Sequence, residues 1–179
     1  MIELSDIQKA HDLIKDQIIK TPCTYSTMLS ELVNCSVYLK LENLQLTGAY
    51  KVRGALNRIA NLSEQERNKG VIASSAGNHA QGVALAAKKF GIDATIVMPE
   101  TTPLSKVQGT KKFGAKVILH GNVYDEAYQK ALEIQKEQGQ TFIHPFNDLD
   151  IIAGQGTVGL EIHEAIPDLD VVIVPIGGG

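Results

Sequence analysis

The sequence predicts an α/β fold in which helices cover both faces of a parallel sheet. Strand-like and helix-like segments alternate in strict turn from residue 52 onward, the order that builds parallel sheets through helical crossovers. The strand-like segments are short, mostly apolar runs such as 71–74 and 94–98, as expected for strands buried on both faces. Two helix-like segments run into Gly91 and Gly114, and glycine suits the left-handed residue that ends a helix.

Before this alternating region, the pattern predicts one helix and one strand. Ser5 can cap the helix, which stops before Pro22. Its apolar positions recur at helical spacing: Ile7, Ala10, Ile14 and Ile18. Apolar and polar residues then alternate over residues 37–41, which predicts a half-buried strand.

The alternating region supplies the remaining elements, each identified by its hydrophobic period. A first helical face consists of Val52, Ala55, Leu56 and Ile59. The other predicted helices cover residues 79–90, 105–113, 125–137 and 157–166. The predicted strands cover residues 71–74, 94–98, 116–120, 141–144 and 171–176.

Composition excludes several classes of function. A net charge of −3 gives no electrostatic basis for binding nucleic acid, and no apolar run approaches the ~20 residues of a membrane span. The amino-terminal segment contains acidic residues and reads as an amphipathic helix, so we expect no signal peptide and a cytoplasmic protein. The histidines form no metal-ligand spacing, so no metal is expected.

Three motifs stand at predicted element boundaries. Lys51 lies where a helix begins and has no acidic residue within four positions; a lysine held against apolar neighbours loses its proton more easily and can act as a nucleophile. Residues 75–79 follow one predicted strand, and the glycines 177–179 follow another. Each loop can offer backbone N–H groups to an anion, although an ordinary turn and a linker are the simpler alternatives.

A fourth motif, Gly154 to Gly159, fits the dinucleotide-binding pattern G-x-G-x-x-G. That pattern requires a strand directly before it, and only a polar turn and three apolar residues precede it here. We therefore expect no nicotinamide cofactor. These glycines are expected to allow close packing where the chain passes between lobes.

In chain order, the segments AYKVRGA (49–55), SAGNHAQG (75–82) and PIGGG (175–179) resemble the pyridoxal-phosphate enzymes of the tryptophan-synthase-β fold, above all the threonine/serine dehydratase branch. The resemblance extends over essentially the whole chain. It implies the two-lobed α/β architecture of PLP fold type II, with parallel sheets flanked by helices and truncated at the C-terminus. Residues 1–66 with 148–179 would form the large lobe, and residues 67–147 the small lobe.

The resemblance also assigns roles to single residues. Lys51 matches the lysine that forms a Schiff base with pyridoxal 5'-phosphate, and Asn78 matches the asparagine that hydrogen-bonds the cofactor ring. The remaining cofactor contacts would be Tyr50, Gly177, Gly178 and Gly179. The substrate would be bound by Ser75, Ala76, Gly77, Asn78, His79 and Gln155. Arg53 faces away from Lys51 on the predicted helix, so we expect it to form a structural ion pair.

The reaction implied is β-elimination, with Lys51 removing the α-proton. L-threonine would give 2-oxobutanoate and ammonia, and L-serine would give pyruvate. One alternative is a racemase-type relative. Racemases of this fold carry a proton-donating serine at the position of Ala76, so the alanine argues against this alternative. Another is a non-catalytic fragment of such an enzyme, and the 179-residue chain alone is expected to be inactive.

The resemblance further implies a homodimer or homotetramer and an AMP or CMP effector site. Thr47, Gln81 and Lys112 correspond loosely to that site; a polar surface without a ligand is the alternative. Catabolic and isoleucine-biosynthetic roles both remain open.

Overall fold

The computed structural model describes residues 1–175 and follows the predicted alternation of strands and helices. The helices are α1 (Leu4–Ile14), α2 (Thr27–Val33), α3 (Lys51–Ala60), α4 (Glu64–Lys69), α5 (Asn78–Phe90), α6 (Leu104–Lys112), α7 (Tyr124–Gln138) and α8 (Leu149–Ala165). The strands are β1 (Cys23–Tyr25), β2 (Tyr38–Lys40), β3 (Val71–Ser74), β4 (Ala94–Met98), β5 (Lys116–Leu119) and β6 (Thr141–Phe142). None of the helices within residues 1–175 is long and apolar enough to cross a membrane.

The main sheet has four parallel strands in the order β5-β4-β3-β6. The chain adds β4 and β5 on one side of β3 and then returns to place β6 on the other side. The loops that follow β3 and β6 therefore diverge at a topological switch point. In open α/β sheets, ligands bind beyond the carboxyl ends of the strands at such a point.

Both faces of this sheet are buried, which explains its short apolar strands. Successive side chains of a strand point to opposite faces. Val71 and Ala73 belong to a large apolar cluster that includes residues of α3 and α5. Ile72 belongs instead to a smaller cluster with α7, through Ala127 and Ala131.

Glycines allow α3 to lie close to α5 and α8. A Cβ atom on Gly82 of α5 would come within 3.2 Å of the Lys51 backbone, and one on Gly154 of α8 would lie 2.7 Å from the Cα atom of Gly54. Gly154, Gly156 and Gly159 thus lie inside a helix, and Gly154 serves the close packing predicted for this motif.

Side chains at helix ends account for two differences in boundaries. Glu3, not Ser5, is the N-cap residue of α1, because the Asp6 carboxylate reaches back to accept the Glu3 N–H at 3.1 Å. Helix α8 begins eight residues before the predicted 157, because the Asp148 side chain caps it by accepting from the N–H groups of Asp150 and Ile151.

The amino-terminal third contains a strand, β1, and a helix, α2, that hydrophobic periodicity did not reveal. Strand β1 pairs antiparallel with β2, the strand that was predicted. Helix α2 is capped by the Ser26 hydroxyl, which accepts the Leu29 N–H. Both elements are short and largely exposed, so they carry little apolar pattern.

The predicted strand at 171–176 is wrong for the residues that the structure describes. Residues 171–175 are irregular and exposed. A strand is stabilised by hydrogen bonds to a neighbouring strand, and within residues 1–175 the main sheet contains only β3 to β6. Ile176 lies outside the described residues.

Candidate active site

Lys51 is the first residue of α3, and its amine is held in place by a backbone carbonyl. The chain reaches α3 through a turn in which Gly48 has a φ of 70°, a conformation that glycine adopts readily. The Lys51 Nζ atom donates a hydrogen bond to the Pro145 carbonyl oxygen at 2.9 Å. It also lies 5.3 Å from the centroid of the Tyr50 ring, within the range of cation–π attraction.

This amine opens into a cavity of about 400 Å³ at the switch point of the sheet. The loops after β3 and β6 form two of its walls, and the start of α3 forms a third. The cavity is lined by Tyr50, Lys51, Ser74, Ser75, Asn78, His79, Tyr124, Pro145, Phe146 and Pro175. The structure thus brings together five residues that the sequence predicted for one site.

Helix α5 points its amino-terminal end into this cavity. Gly77 is its N-cap residue, and a Cβ atom there would meet nothing within 4 Å. Its N–H donates to the Ser75 hydroxyl at 3.2 Å, and Ala76 lies between the two. The amino end of a 13-residue helix carries unpaired N–H groups and partial positive charge. The loop therefore suits a carboxylate or a phosphate.

His79 is a neutral, buried member of the site. Its Nε2 atom lies 2.9 Å from the Ile143 carbonyl oxygen, so Nε2 carries the hydrogen and Nδ1 is an acceptor. Burial, followed by the nearby Lys51 and His144, lowers the pKa of His79 to about 4, although the bond to Ile143 opposes the shift. His79 is therefore uncharged at neutral pH.

Two buried polar atoms at this cavity lack hydrogen-bond partners within residues 1–175: the Ser74 hydroxyl and His79 Nδ1. Such orphaned atoms are costly when buried. A bound polar molecule with complementary donors and acceptors would relieve that cost. A phosphorylated pyridine aldehyde, which reacts with amines and carries an anionic group, fits this combination of lysine, helix end and orphaned polar atoms.

Gln155 does not line this cavity. It lines a larger, mostly apolar cavity of about 570 Å³, which also includes Lys51, Ile151 and Ile162. Its Oε1 atom accepts the Gly54 N–H at 3.2 Å, and its Nε2 atom is buried without a partner in the described part of the chain. Gln155 and Asn78 thus line different cavities, and Lys51 borders both.

Arg53 forms the structural ion pairs predicted for it. Its guanidinium donates two hydrogen bonds to Glu42, at 2.8 and 2.9 Å, and two to Glu161, at 2.7 and 2.9 Å. Lys40 donates to the same Glu161 carboxylate. This network fixes α3, and with it Lys51, to α8.

Other predicted residues fall outside the cavity or outside the described residues. Gly177, Gly178 and Gly179 lie outside residues 1–175, although nearby Pro175 lines both cavities. Gln81 on α5 lies beside Gly109 of α6. Lys112, also on α6, is exposed, and Thr47 donates weakly to the Ala49 carbonyl at 3.4 Å.

Sequence reasoning missed Ser74, Tyr124, Pro145 and Phe146. Ser74 is the last residue of a strand that was predicted, so its position at the carboxyl end was a usable signal. Tyr124 and residues 145–146 carried no such sequence signal, because only the fold brings these parts of the chain close to Lys51 and Asn78.

Comparison with known proteins gives a consistent result. The profile of the family described as "Pyridoxal-phosphate dependent enzyme" matches residues 14–179. An L-threonine ammonia-lyase from Thermotoga maritima is 59% identical over 179 residues, covering 100% of this chain and 45% of that protein. A catabolic L-threonine dehydratase from Staphylococcus aureus is 52% identical over 180 residues, covering 100% of this chain and 52% of that protein.

Among solved structures, maize serine racemase superposes with a TM-score of 0.96 at 40% identity, over 99% of this chain and 54% of the racemase. The chain thus spans about half the length of the curated relatives it matches.

Proposed function

Because this chain belongs to the family of pyridoxal-phosphate dependent enzymes, we propose that its protein is a threonine ammonia-lyase. It would convert L-threonine to 2-oxobutanoate and ammonia, and L-serine to pyruvate and ammonia. The observation that carries this proposal is the Lys51 amine, which faces the amino end of α5 across one cavity. The identities of 52–59% with proteins named for this reaction support the choice of substrate.

Pyridoxal phosphate, when bound, binds amino groups covalently and withdraws electrons from the carbon that carries them. Lys51 would provide the amine that attaches it, and Tyr50 and Asn78 would contact its ring. The orphaned Ser74 hydroxyl is available as a further partner. The predicted phosphate contacts Gly177, Gly178 and Gly179 lie outside the described residues.

The remaining steps depend on the chain's own groups. The α5 amino end and the loop at residues 75–77 would bind the substrate carboxylate, with N–H donors that are already oriented. Lys51 Nζ would take the α-proton, as a general base that the Pro145 carbonyl holds in position. Tyr124 and Phe146 would exclude water from the cavity.

A racemase is the second candidate, and the maize serine racemase superposition favours it. Racemisation requires a proton donor on the face opposite the base. The residue at the position assigned to that donor is Ala76, which has no proton to give. Chiral chromatography of a reaction with L-serine should detect pyruvate and no D-serine.

Replacing Lys51 with alanine should abolish the reaction. The assay measures 2-oxobutanoate release from L-threonine by the full-length polypeptide with added pyridoxal phosphate, together with the absorbance of protein-bound cofactor. Lys51→Ala should lose both signals. The control Lys88→Ala, an exposed lysine in the last turn of α5, should keep both. Normal turnover by Lys51→Ala would contradict the assignment.

The lobes, the effector and the assembly are narrower proposals. We propose two lobes: residues 1–66 with 148–179, and residues 67–147. The cavity supports this division, because Lys51 from the first lobe and Asn78 from the second both line it.

We also propose an AMP or CMP effector site at Thr47, Gln81 and Lys112. The position of Gln81 against α6, the helix of Lys112, supports this site. Stimulation of turnover by AMP, lost in Gln81→Ala, is the test.

Four further properties stay predictions: assembly as a homodimer or homotetramer, allosteric control, a role in isoleucine biosynthesis or amino-acid catabolism, and a cytoplasmic location.

A further inference from the structure

The loop between β6 and α8 carries the carbonyl group that holds the Lys51 amine. Pro145 accepts the hydrogen bond from Lys51 Nζ at 2.9 Å, and both Pro145 and Phe146 line the cavity. These residues lie outside the sheet and the helices. The direction of the Pro145 carbonyl therefore depends on the turn that contains it.

The His144 ring closes this turn. Its Nδ1 atom accepts the Asn147 N–H at 2.7 Å and the Phe146 N–H at 3.3 Å. Asparagine and aspartate side chains close turns in the same way, by accepting from N–H groups two and three residues ahead. An imidazole can do so only when Nδ1 has no proton, so the ring is neutral and its hydrogen is on Nε2.

The ring is also fixed by aromatic packing. Its centroid lies 4.7 Å from that of Phe146 in an edge-to-face arrangement, and 6.3 Å from that of Phe142 on β6. Aromatic pairs at these distances attract each other. The hydrogen bonds and the packing together fix both ends of the segment that carries Pro145.

We propose that His144 is a positioning residue of this enzyme: its unprotonated Nδ1 shapes the 144–147 turn, and the turn presents the Pro145 carbonyl to Lys51 and the Phe146 ring to the cavity. The inference rests on the proposed function, because it assigns the purpose of the turn to the reactive amine. The His144 ring itself acts only through Pro145 and Phe146.

Protonation of His144 should open the turn, because a hydrogen on Nδ1 would face two N–H donors. The titratable groups that interact with it are Asp148 at the cap of α8 and His79 from α5. Lys51 from α3 and Tyr124 from α7 line the adjoining cavity, together with Pro145 and Phe146. Burial lowers the pKa of His144 below 6.5, and the Asp148 carboxylate opposes that shift. The turn is therefore intact above pH 6.5 and is lost as the pH falls through the lowered pKa.

Amide hydrogen exchange tests the turn without any cofactor or substrate. In the full-length polypeptide, the amides of Phe146 and Asn147 should exchange at least ~10-fold faster in His144→Ala than in the wild type at pH 7. In His144→Asn they should stay protected, because the asparagine Oδ1 atom can accept the same two N–H groups. The Ile143 amide, bonded to the Ile72 carbonyl at 2.8 Å, is the internal control.

The pH dependence of amide protection shows whether the turn is held by a titratable His144 ring or only by the packing of that ring. As the pH falls from 7 through the lowered pKa of His144, the wild type should lose protection at Phe146 and Asn147. His144→Asn should keep it, because its amide does not titrate. If His144→Ala does not fold, this comparison between the wild type and His144→Asn decides the question alone. Equal protection in all variants, or the same acid response in His144→Asn, would overturn the inference.

Two measurements test whether the His144 turn positions Lys51: the affinity for the cofactor and kcat. His144→Ala should bind pyridoxal phosphate more weakly and lower kcat by ~10- to 100-fold, because small displacements of a reacting group are costly. His144→Asn should restore both and flatten the acid side of the pH profile. Equal losses in both variants would overturn the positioning role. A wild type that binds the cofactor and shows the expected exchange pattern, yet leaves threonine unchanged, would contradict only the proposed function.

Discussion

At the scale of single residues, a buried network of four charged side chains holds helix α3, and with it the candidate catalytic lysine, in place. The side chains of Arg53 and Glu161 are 0% and 1% exposed, and those of Lys40 and Glu42 are 8% and 13% exposed. Buried ions are tolerated only when their hydrogen bonds are satisfied. Here two cations face two carboxylates, so the network is balanced in charge and ties α3 to α8.

The same contacts set the ionisation of Glu161. Burial alone would raise the pKa of Glu161, but hydrogen bonds from Arg53 and Lys40 outweigh it and hold the pKa below its ordinary value of 4.5. Since the folded pKa is lowered, this stabilisation is present above pH 4.5 and is lost as the pH falls through the lowered value.

Replacement of Glu161 with alanine should lower the free energy of unfolding by about 3–5 kcal/mol, because it leaves Arg53 and Lys40 buried with one carboxylate. Glu164→Ala, on the same helix, is the matched control. Glu164 pairs with Lys20 at 2.7 Å on the exposed surface, where ion pairs contribute little. Urea denaturation of both variants measures the difference, and similar losses would show that burial of the network does not matter.

At the scale of secondary-structure elements, the crossing of α3 and α8 decides where Lys51 sits. Gly54 and Gly154 meet at this crossing: a Cβ atom on Gly54 would come within 2.8 Å of the Ile151 carbonyl oxygen, and one on Gly154 within 2.8 Å of the Arg53 carbonyl oxygen. Backbone atoms cannot yield as a flexible side chain can. The two helices can approach this closely only because neither residue has a side chain.

Gly154→Ala should therefore destabilise the protein by about 1–3 kcal/mol, the usual cost of overpacking. It should also lower the activity, because α3 must move. Gly159→Ala is the control on the same helix, since a Cβ atom there meets nothing within 4 Å. That substitution should be neutral or stabilise by up to about 1 kcal/mol, because alanine favours helix. A Gly154→Ala variant as stable as Gly159→Ala would contradict the close crossing.

For the whole molecule, the buried histidine of the cavity links stability to pH. His79 has a folded pKa of about 4 against the ordinary 6.5. Because the folded state binds the proton less readily than the unfolded state, the stabilisation is present above pH 6.5 and is lost as the pH falls toward 4.

This difference corresponds to roughly 3 kcal/mol of unfolding free energy. Thermal unfolding of the cofactor-free protein between pH 7 and pH 4 should show the loss. His79→Gln should reduce the dependence in this range, because its amide can donate to the Ile143 carbonyl and does not titrate. An unchanged pH profile in His79→Gln would assign the acid sensitivity to other groups.

Much of the main sheet and its helices was predictable from the sequence, because those features are local in the chain. Strands β3 and β4 were predicted to the residue, and α5 to within one residue. Lys51, Ser75 and Asn78 were predicted as site residues from motifs at element boundaries, and the structure places all three at one cavity. The predicted strand was wrong over residues 171–175, because apolar periodicity cannot show whether a partner strand is present.

The sequence by itself determined the α/β class and the family, and it predicted which lysine is the reactive one. Only the tertiary structure decided how that lysine is held. Its amine meets the Pro145 carbonyl across 94 positions of sequence, and Arg53 meets Glu161 across 108. Such contacts leave no periodic signal, because they depend on the angle and distance at which α3, α8 and the loop after β6 pack, and side-chain volumes set that packing only in the folded chain.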